Sequence, residues 1–110
     1  MSFSTVKSYT VFLALVSSLS TLSVAYADEA LAHAKGCTAC HQLDAEKVGP
    51  PFRKVAKQYQ TQSDALSKLS RKVLEGGSGT WGEVAMPANK TLGVTEADVA
   101  KLVSWVLSLK

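Results

Sequence analysis

The stretch Cys37-Thr38-Ala39-Cys40-His41 contains both cysteines of the chain, three positions apart, with a histidine directly after the second. Thiols this close in sequence can form a redox pair or a disulfide, supply half of a zinc site, or bind haem through two thioether bonds while the imidazole reaches the iron. A thioredoxin-like pair belongs in a βαβ unit, and a zinc site needs a second Cys or His pair. The rest of the sequence suggests neither a βαβ unit nor a second ligand pair, so the motif favours covalent attachment of haem.

Residues 1–27 read as a secretory signal peptide. They carry one charge, Lys7, then an apolar run over residues 11–16, and end in small residues up to Ala27. An uncleaved membrane anchor is the alternative, but a spanning helix needs about 20 predominantly apolar residues, and serines and a threonine dilute this segment. We therefore expect cleavage after Ala27, export to the periplasm, and one mature domain over residues 28–110.

The mature domain would have 83 of the 110 residues, a size at which a cofactor often supplements a thin protein core. Without Lys7, the side chains carry 11 basic and nine acidic groups, a net charge of +2. The lysines are spread from Lys35 to Lys110 rather than clustered. This pattern gives little support to nucleic-acid binding or to a polybasic membrane surface.

Helices connected by loops account for most of the mature chain. The last helix is the clearest, because Val99, Leu102, Val103, Val106 and Leu107 recur with helical period. Its start is marked by Thr95 as N-cap, by Asp98, which can complete a capping box with Thr95, and by a hydrophobic staple between Val94 and Val99. Phe52, Val55 and Tyr59 would face inward from the second helix, and Leu66, Leu69, Val73 and Leu74 from the third, with Ser63 as its cap. The predicted helices span 29–36, 51–58, 63–75 and 95–109.

Residues 76–93 are too rich in glycine and proline for regular structure, and a long loop in a small domain usually has a functional reason. This loop contains Met86, the one methionine of the mature chain. A lone methionine is often core filler, but Met86 stands beside Pro87 and outside any helical stripe, which favours it as the sixth iron ligand. The rival imidazole is His33, which lies one helical turn before Cys37.

Other side chains could support such a site. The Pro50 carbonyl can accept the second ring N–H of His41, because the Pro50-Pro51 pair fixes that backbone. The Trp81 indole could donate to a haem propionate or simply pack in the core. Arg71 and Lys72 could offset the propionate charge or remain surface residues.

Five segments in order resemble the small bacterial class I cytochromes c: KGCTACH (35–41), VGPPF (48–52), GGSGTWG (76–82), AMPAN (85–89) and AKLVSWVLSLK (100–110). The resemblance implies an all-α fold of four short helices around one haem c, bound through Cys37 and Cys40.

The same resemblance implies His41 and Met86 as axial ligands of the iron. It also implies the Pro50 carbonyl on the His41 ring, Trp81 near a propionate, and Asn89 hydrogen-bonding near the Met86 sulfur.

The resemblance further implies that the first and last helices cross, with Gly36 permitting close approach and Trp105 packing at the junction. Two positions depart from the family pattern. Ala32 stands where many relatives carry a large aromatic residue, and Lys72 stands where they carry an arginine.

A histidine and a thioether that remain bound in both redox states close the iron to substrates, which favours electron transfer over enzymatic activity. The resemblance implies a monomeric carrier between redox proteins such as cytochrome bc1-type donors and terminal oxidases or nitrite reductase. We expect no nucleic-acid partner and no stable membrane insertion after cleavage. The alternative is a five-coordinate haem protein with peroxidase or gas-sensing activity, in which Met86 only packs.

Overall fold

The computed structural model describes Met1 and residues 22–110. Residues 2–21, which form most of the predicted leader, lie outside this description, and cleavage after Ala27 stays a prediction. Within the described residues, no helix is both long and apolar enough to span a membrane.

Four α-helices and a two-stranded sheet make up the described chain, so the predicted all-α class with four short helices is confirmed. The helices are α1 (Leu22–Ala34), α2 (Phe52–Tyr59), α3 (Ala65–Glu75) and α4 (Glu96–Ser108), and the antiparallel strands are β1 (Gly77–Gly79) and β2 (Gly82–Met86). Short 3-10 helices cover Cys37–Ala39 and Asn89–Leu92.

Helix α4 begins with the predicted capping box. The Asp98 backbone N–H donates to Thr95 Oγ1 over 3.1 Å, and the Thr95 backbone N–H donates to Asp98 Oδ2 over 3.0 Å. Asp98 Oδ2 also lies 2.9 Å from Lys35 Nζ, which ties the end of α1 to the start of α4. The Thr95 N–H, then Lys35 and the Thr95 side chain, lower the pKa of Asp98 to about 2.

Helices α1, α2 and α3 each pack against α4, whose apolar stripe is the centre of the core. Val99 is only 1% exposed, and Phe52, Tyr59 and Leu107 pack against the cluster from partly buried positions. Leu66 is 49% exposed, so it does not share the inward face of α3 predicted for it. The buried cluster is Ala32, Val55, Leu69, Val94, Val99, Leu102, Val103, Trp105 and Val106.

Two helix starts differ from the prediction. Within the described residues, helix α1 already includes Leu22 rather than starting at residue 29, because residues 22–34 contain no glycine or proline to interrupt it. Helix α3 begins at Ala65, and its N-cap position is Asp64, so Ser63 is not the cap. The Asp64 side chain forms no capping hydrogen bond. The backbone carbonyl of Asp64 instead accepts a hydrogen bond from the Ser67 hydroxyl.

Gly36 does not have the role predicted for it. A Cβ added there would meet nothing within 4 Å, so close approach of the helices does not require the glycine. Its φ of 78° is left-handed, and this conformation lets the chain leave α1 and enter the 3-10 helix Cys37–Ala39.

The segment predicted as irregular, residues 76–93, contains the antiparallel hairpin of β1 and β2. Gly77 pairs with Met86 and Gly79 with Gly82, with an irregularity between them. The strands carry no alternation of apolar and polar burial, since they are exposed up to Met86. Sequence periodicity therefore could not have indicated this hairpin.

Candidate haem-binding site

One large cleft lies between the Cys37–His41 segment and the hairpin, with α3 and α4 behind it. Its empty volume, which includes the solvent space at its open mouth, is about 1140 Å³. Most of its lining is apolar, which suits a flat hydrophobic macrocycle. The lining includes Ala32, Val55, Leu69, Leu102, Val103, Trp105 and Val106 from the core.

The two thiols enter the cleft from the 3-10 helix that follows Gly36. The Ala39 N–H donates to the Gly36 carbonyl over 3.1 Å and the His41 N–H to the Cys37 carbonyl over 3.0 Å, which fixes this tight turn. Cys37 and Cys40 are both half-buried, free and part of the cleft wall. Burial raises the pKa of the Cys37 thiol, although a backbone hydrogen bond partly opposes this effect.

The His41 imidazole is held on three sides. Its Nδ1 lies 2.7 Å from the Pro50 carbonyl oxygen, the partner expected from the sequence. Its ring stacks on Phe52 with centroids 5.3 Å apart, and Phe52 meets Trp105 edge-on at 5.1 Å. A Cβ added to Gly49 would lie 2.5 Å from His41 Cε1, so the glycine backbone covers the ring closely.

The bond to Pro50 determines which nitrogen of His41 is available. A carbonyl oxygen can only accept, so Nδ1 must carry the proton and donate. In the neutral ring the lone pair of Nε2 is then free. This tautomer, with the proton on Nδ1, is the one that a histidine needs to bind a metal through Nε2. The expected support from Pro50 therefore has a defined chemical consequence.

Met86 ends strand β2 and reaches the same cleft as His41. It is half-buried, whereas the other residues of β2 are exposed. His33, the rival imidazole, is exposed on α1 and does not line the cleft. The structure thus brings together the two thiols, the imidazole and the thioether that the sequence singled out.

Asn89 follows residues 86–88, which we call the Met86 segment, and does not form part of the cleft wall. Its side-chain N–H groups donate to the Val73 carbonyl over 3.0 Å and to the Pro87 carbonyl over 3.1 Å. Val73 is in the last turn of α3, where helix carbonyls lack partners in the helix. Asn89 therefore joins α3 to the segment after Met86.

Trp81 is half-buried and lines the cleft between β1 and β2. Lys54 Nζ lies 5.7 Å from the centre of the Trp81 ring and 2.5 Å from Glu46 Oε1. Lys72 is half-buried in the cleft wall, whereas Arg71 is exposed and lies outside it. Sequence reasoning missed Lys54, because 27 positions separate it from Trp81 and no local pattern joins them.

The donors fit a covalently attached haem. Two thiols can form thioethers, an imidazole with a free Nε2 can bind iron, and a thioether can bind from the hairpin side, all within one apolar cleft. This set in a small helical fold defines the c-type class of haem protein.

The chain belongs to the cytochrome c family, whose sequence model matches residues 29–110. It is 45% identical to cytochrome c-552 of Hydrogenobacter thermophilus, across 87% of this chain and 95% of that protein. It is 49% identical to cytochrome c2 of Rhodocyclus tenuis, across 76% of this chain and 95% of that protein.

Among solved structures, the chain resembles the crystal structure of Nitrosomonas europaea cytochrome c552. The TM-score is 0.70 at 39% identity, across 74% of this chain and 99% of that chain. The predicted cytochrome c fold is confirmed by this likeness. The chain is therefore a small class I c-type cytochrome, an electron carrier with covalently bound haem c and its iron.

Proposed function

We propose that this chain is a periplasmic one-haem electron carrier whose iron is held by His41 and Met86, with thioethers at Cys37 and Cys40. The observation that carries the proposal is the convergence of these four side chains on one apolar cleft. When bound, the haem supplies a one-electron iron centre. The chain holds the haem, determines the polarity of its surroundings and limits the access of other molecules to the iron.

The two axial side chains support a carrier rather than an enzyme. The bond from His41 Nδ1 to Pro50 leaves Nε2 available on a ring that lines the cleft, and the stacking on Phe52 restrains this ring. The soft sulfur of Met86 favours ferrous iron and so raises the reduction potential. With both positions filled, small molecules have no free place on the iron, so we propose no enzymatic activity.

The mouth of the cleft suits brief docking of redox partners. Val48 and Val84 line the cleft and are nevertheless 59% and 70% exposed. Exposed apolar side chains around a cofactor edge can exclude water from a partner while leaving the contact small and weak. We propose docking here by partners such as cytochrome bc1-type donors and terminal oxidases or nitrite reductase, with the carrier itself a monomer.

Trp81 and Lys72 are the side chains we assign to the propionate end of the haem. Both lie in the cleft wall, and each offers an N–H donor to a carboxylate. Lys54 lies beside the Trp81 ring, and its charge is paired with Glu46. Arg71 is exposed and does not line the cleft, so we do not assign it this role.

Replacement of Met86 by alanine tests the proposal. The ferric wild-type protein should show the weak sulfur-to-iron absorption band and resist cyanide, and the reduced protein should resist carbon monoxide. The Met86→Ala variant should keep its haem but lose the band, bind both ligands and show a potential lower by on the order of 100 mV or more, since axial ligands control haem potentials over about 0.8 V.

The control is Cys37→Ala, which should impair haem attachment itself rather than ligand exclusion. A Met86→Ala protein with the wild-type band, potential and ligand exclusion would remove the assignment. Rapid binding of carbon monoxide by the wild type, together with this result, would favour the five-coordinate alternative.

Mass spectrometry of the exported protein tests whether the leader is cleaved, with Asp28 as the expected first residue.

A further inference from the structure

Gly76 lies directly after α3, where the chain turns into the hairpin. Its φ is 70° and its ψ is −158°, a backbone conformation that L side chains rarely adopt. Its N–H donates to the Lys72 carbonyl over 2.8 Å and so completes the last turn of α3. The glycine is therefore fixed to the helix on one side and leads into the paired strand on the other.

The Met86 segment passes directly over Gly76. A Cβ added to Gly76 would lie 2.3 Å from the Met86 carbonyl oxygen, 2.7 Å from the Pro87 carbonyl carbon and 2.9 Å from the Ala88 nitrogen. All three are main-chain atoms, so no side-chain rotation could relieve the overlap. Ordinary contact begins at 3.4 Å, so the closest atom would have to move by about 1 Å.

The other glycines of the hairpin do not have this contact. Gly79 and Gly82 also have positive φ, 108° and 113°, but a Cβ at either would meet nothing within 4 Å. Gly77 would meet only the end of the flexible Lys72 side chain, at 3.1 Å. Positive φ is thus shared by these four glycines, whereas an added Cβ would overlap the Met86 backbone only at Gly76 among them.

Two further contacts hold the same segment against α3. Gly77 pairs with Met86 in the sheet, and Asn89 donates to the Val73 carbonyl. The Met86 backbone therefore has little freedom to retreat except toward the cleft or away from the helix. Either movement would misplace a sulfur that must be positioned to within about 0.5 Å to bind a metal well.

We propose that Gly76 is a positioning residue for Met86, and that its missing side chain sets how far the thioether reaches into the cleft. This inference rests on the proposed ligation by Met86. It adds that the strength of the sulfur bond is controlled from the end of α3, by a residue that does not touch the haem.

The test compares Gly76→Ala with Gly93→Ala in the mature haem-containing protein. Both variants place alanine at a positive φ, so both carry backbone strain, but only Gly76→Ala pushes on Met86, and Gly93 does not line the cleft. Gly76→Ala should lose most of the sulfur-to-iron band, lower the potential and bind cyanide at least about tenfold faster, since the rate follows the fraction of open iron. Gly93→Ala should retain the wild-type band and potential.

A second comparison shows whether Gly76 acts through the ligand. In a Met86→Ala background, adding Gly76→Ala should change neither the potential nor the cyanide rate, because no sulfur bond is left to weaken. A Gly76→Ala protein with the band and potential of Gly93→Ala would overturn the inference. So would an additive effect in the Met86→Ala background. A Gly76→Ala chain that fails to fold while Gly93→Ala folds would also overturn it, since Gly76 would then support the fold as a whole rather than the position of Met86.

The two proposals fail differently. A wild-type protein without the sulfur-to-iron band would remove ligation by Met86, and the inference with it. A wild-type protein with the band, whose Gly76→Ala variant keeps it unchanged, would remove only the role of Gly76.

Discussion

The two sides of the cleft hold their proposed ligands by different means. On the histidine side, the ring of His41 itself is fixed by the Pro50 carbonyl, the Phe52 ring and the Gly49 backbone. On the methionine side, the contacts fix the backbone of Met86, through strand pairing and the close approach of Gly76. The side chain of Met86 depends on its main chain for its position.

The elements that supply the contacts differ as well. His41 and its three immediate restraints fall within residues 41–52, so they form together once this short segment folds. The Met86 segment depends on α3, through Gly76 and through the bond from Asn89 to Val73, 16 positions apart. The methionine side therefore depends on the packing of separate elements, and we expect it to open first under stress.

The largest effect in this comparison is expected from Gly49→Ala on the histidine side. The new Cβ would lie 2.5 Å from His41 Cε1, in a place where Pro50 and Phe52 leave the ring little freedom. Overpacking of this kind should destabilise the protein by about 1–3 kcal/mol and strain the bond to Pro50. Denaturant unfolding and the NMR shifts of the His41 ring measure the two effects.

Gly93→Ala is the control for Gly49→Ala. Gly93 has a φ of 83° and open space around its missing Cβ, so alanine there costs backbone strain without touching a ligand. The control should lower stability while the His41 signals stay in place. Unchanged His41 signals in Gly49→Ala would show that the ring is not held as tightly as the geometry indicates.

The sequence predicted the histidine side well because its information is local. The spacing of Cys37, Cys40 and His41 is dictated by the chemistry of attachment, and the Pro50-Pro51 pair indicated a fixed carbonyl nearby. The capping box at Thr95 and the apolar stripe of α4 were likewise local patterns, and the structure confirms both.

On the methionine side, the sequence singled out the proposed ligand but did not indicate the structure that presents it. Met86 stood out by elimination, whereas the hairpin that presents it pairs glycine backbones and has no periodic side-chain signal. The bond from Asn89 to Val73 and the contact of Lys54 with Trp81 join positions 16 and 27 apart, and the contact of Gly76 with Met86 depends on how the hairpin folds back onto the end of α3. Such contacts arise from tertiary packing, which one sequence does not specify by local pattern.

An intermediate effect is expected from Asn89→Ala on the methionine side. The variant removes two hydrogen bonds and leaves the Val73 carbonyl at the end of α3 without this partner, which should cost about 1 kcal/mol. The loosened Met86 segment should let cyanide bind faster, while His41 remains unaffected. Stopped-flow cyanide binding and thermal unfolding check these outcomes.

Thr91→Ala is the matched control for Asn89→Ala. The Thr91 hydroxyl donates to the Ala88 carbonyl over 2.7 Å, a bond within the same loop that does not reach α3. If loss of this bond accelerated cyanide binding as much as loss of Asn89, the tie to α3 would not be the restraint on Met86.

The smallest effect on stability is expected from Asp98→Asn. Asp98 lies at the junction of α1 and α4 and contacts neither proposed ligand. The pKa of Asp98 is lowered from 3.8 to about 2, chiefly by the Thr95 backbone N–H and next by Lys35. The folded state therefore binds this proton less readily than the unfolded chain. The carboxylate adds stability above about pH 4, and this contribution is lost as the pH falls toward 2.

Unfolding curves of the wild type and Asp98→Asn, recorded between pH 7 and pH 2, measure this contribution. The wild type should be the more stable at neutral pH, and the difference should shrink between about pH 4 and pH 2, since Asp98 then becomes protonated. Lys35→Gln should retain part of the pH dependence, because the Thr95 N–H still binds the carboxylate. A difference that persists unchanged to pH 2 would mean that the charge of Asp98 does not stabilise the helix junction. A change in the sulfur-to-iron band of Asp98→Asn would mean that this junction also controls the methionine side, against the separation of the two sides argued above.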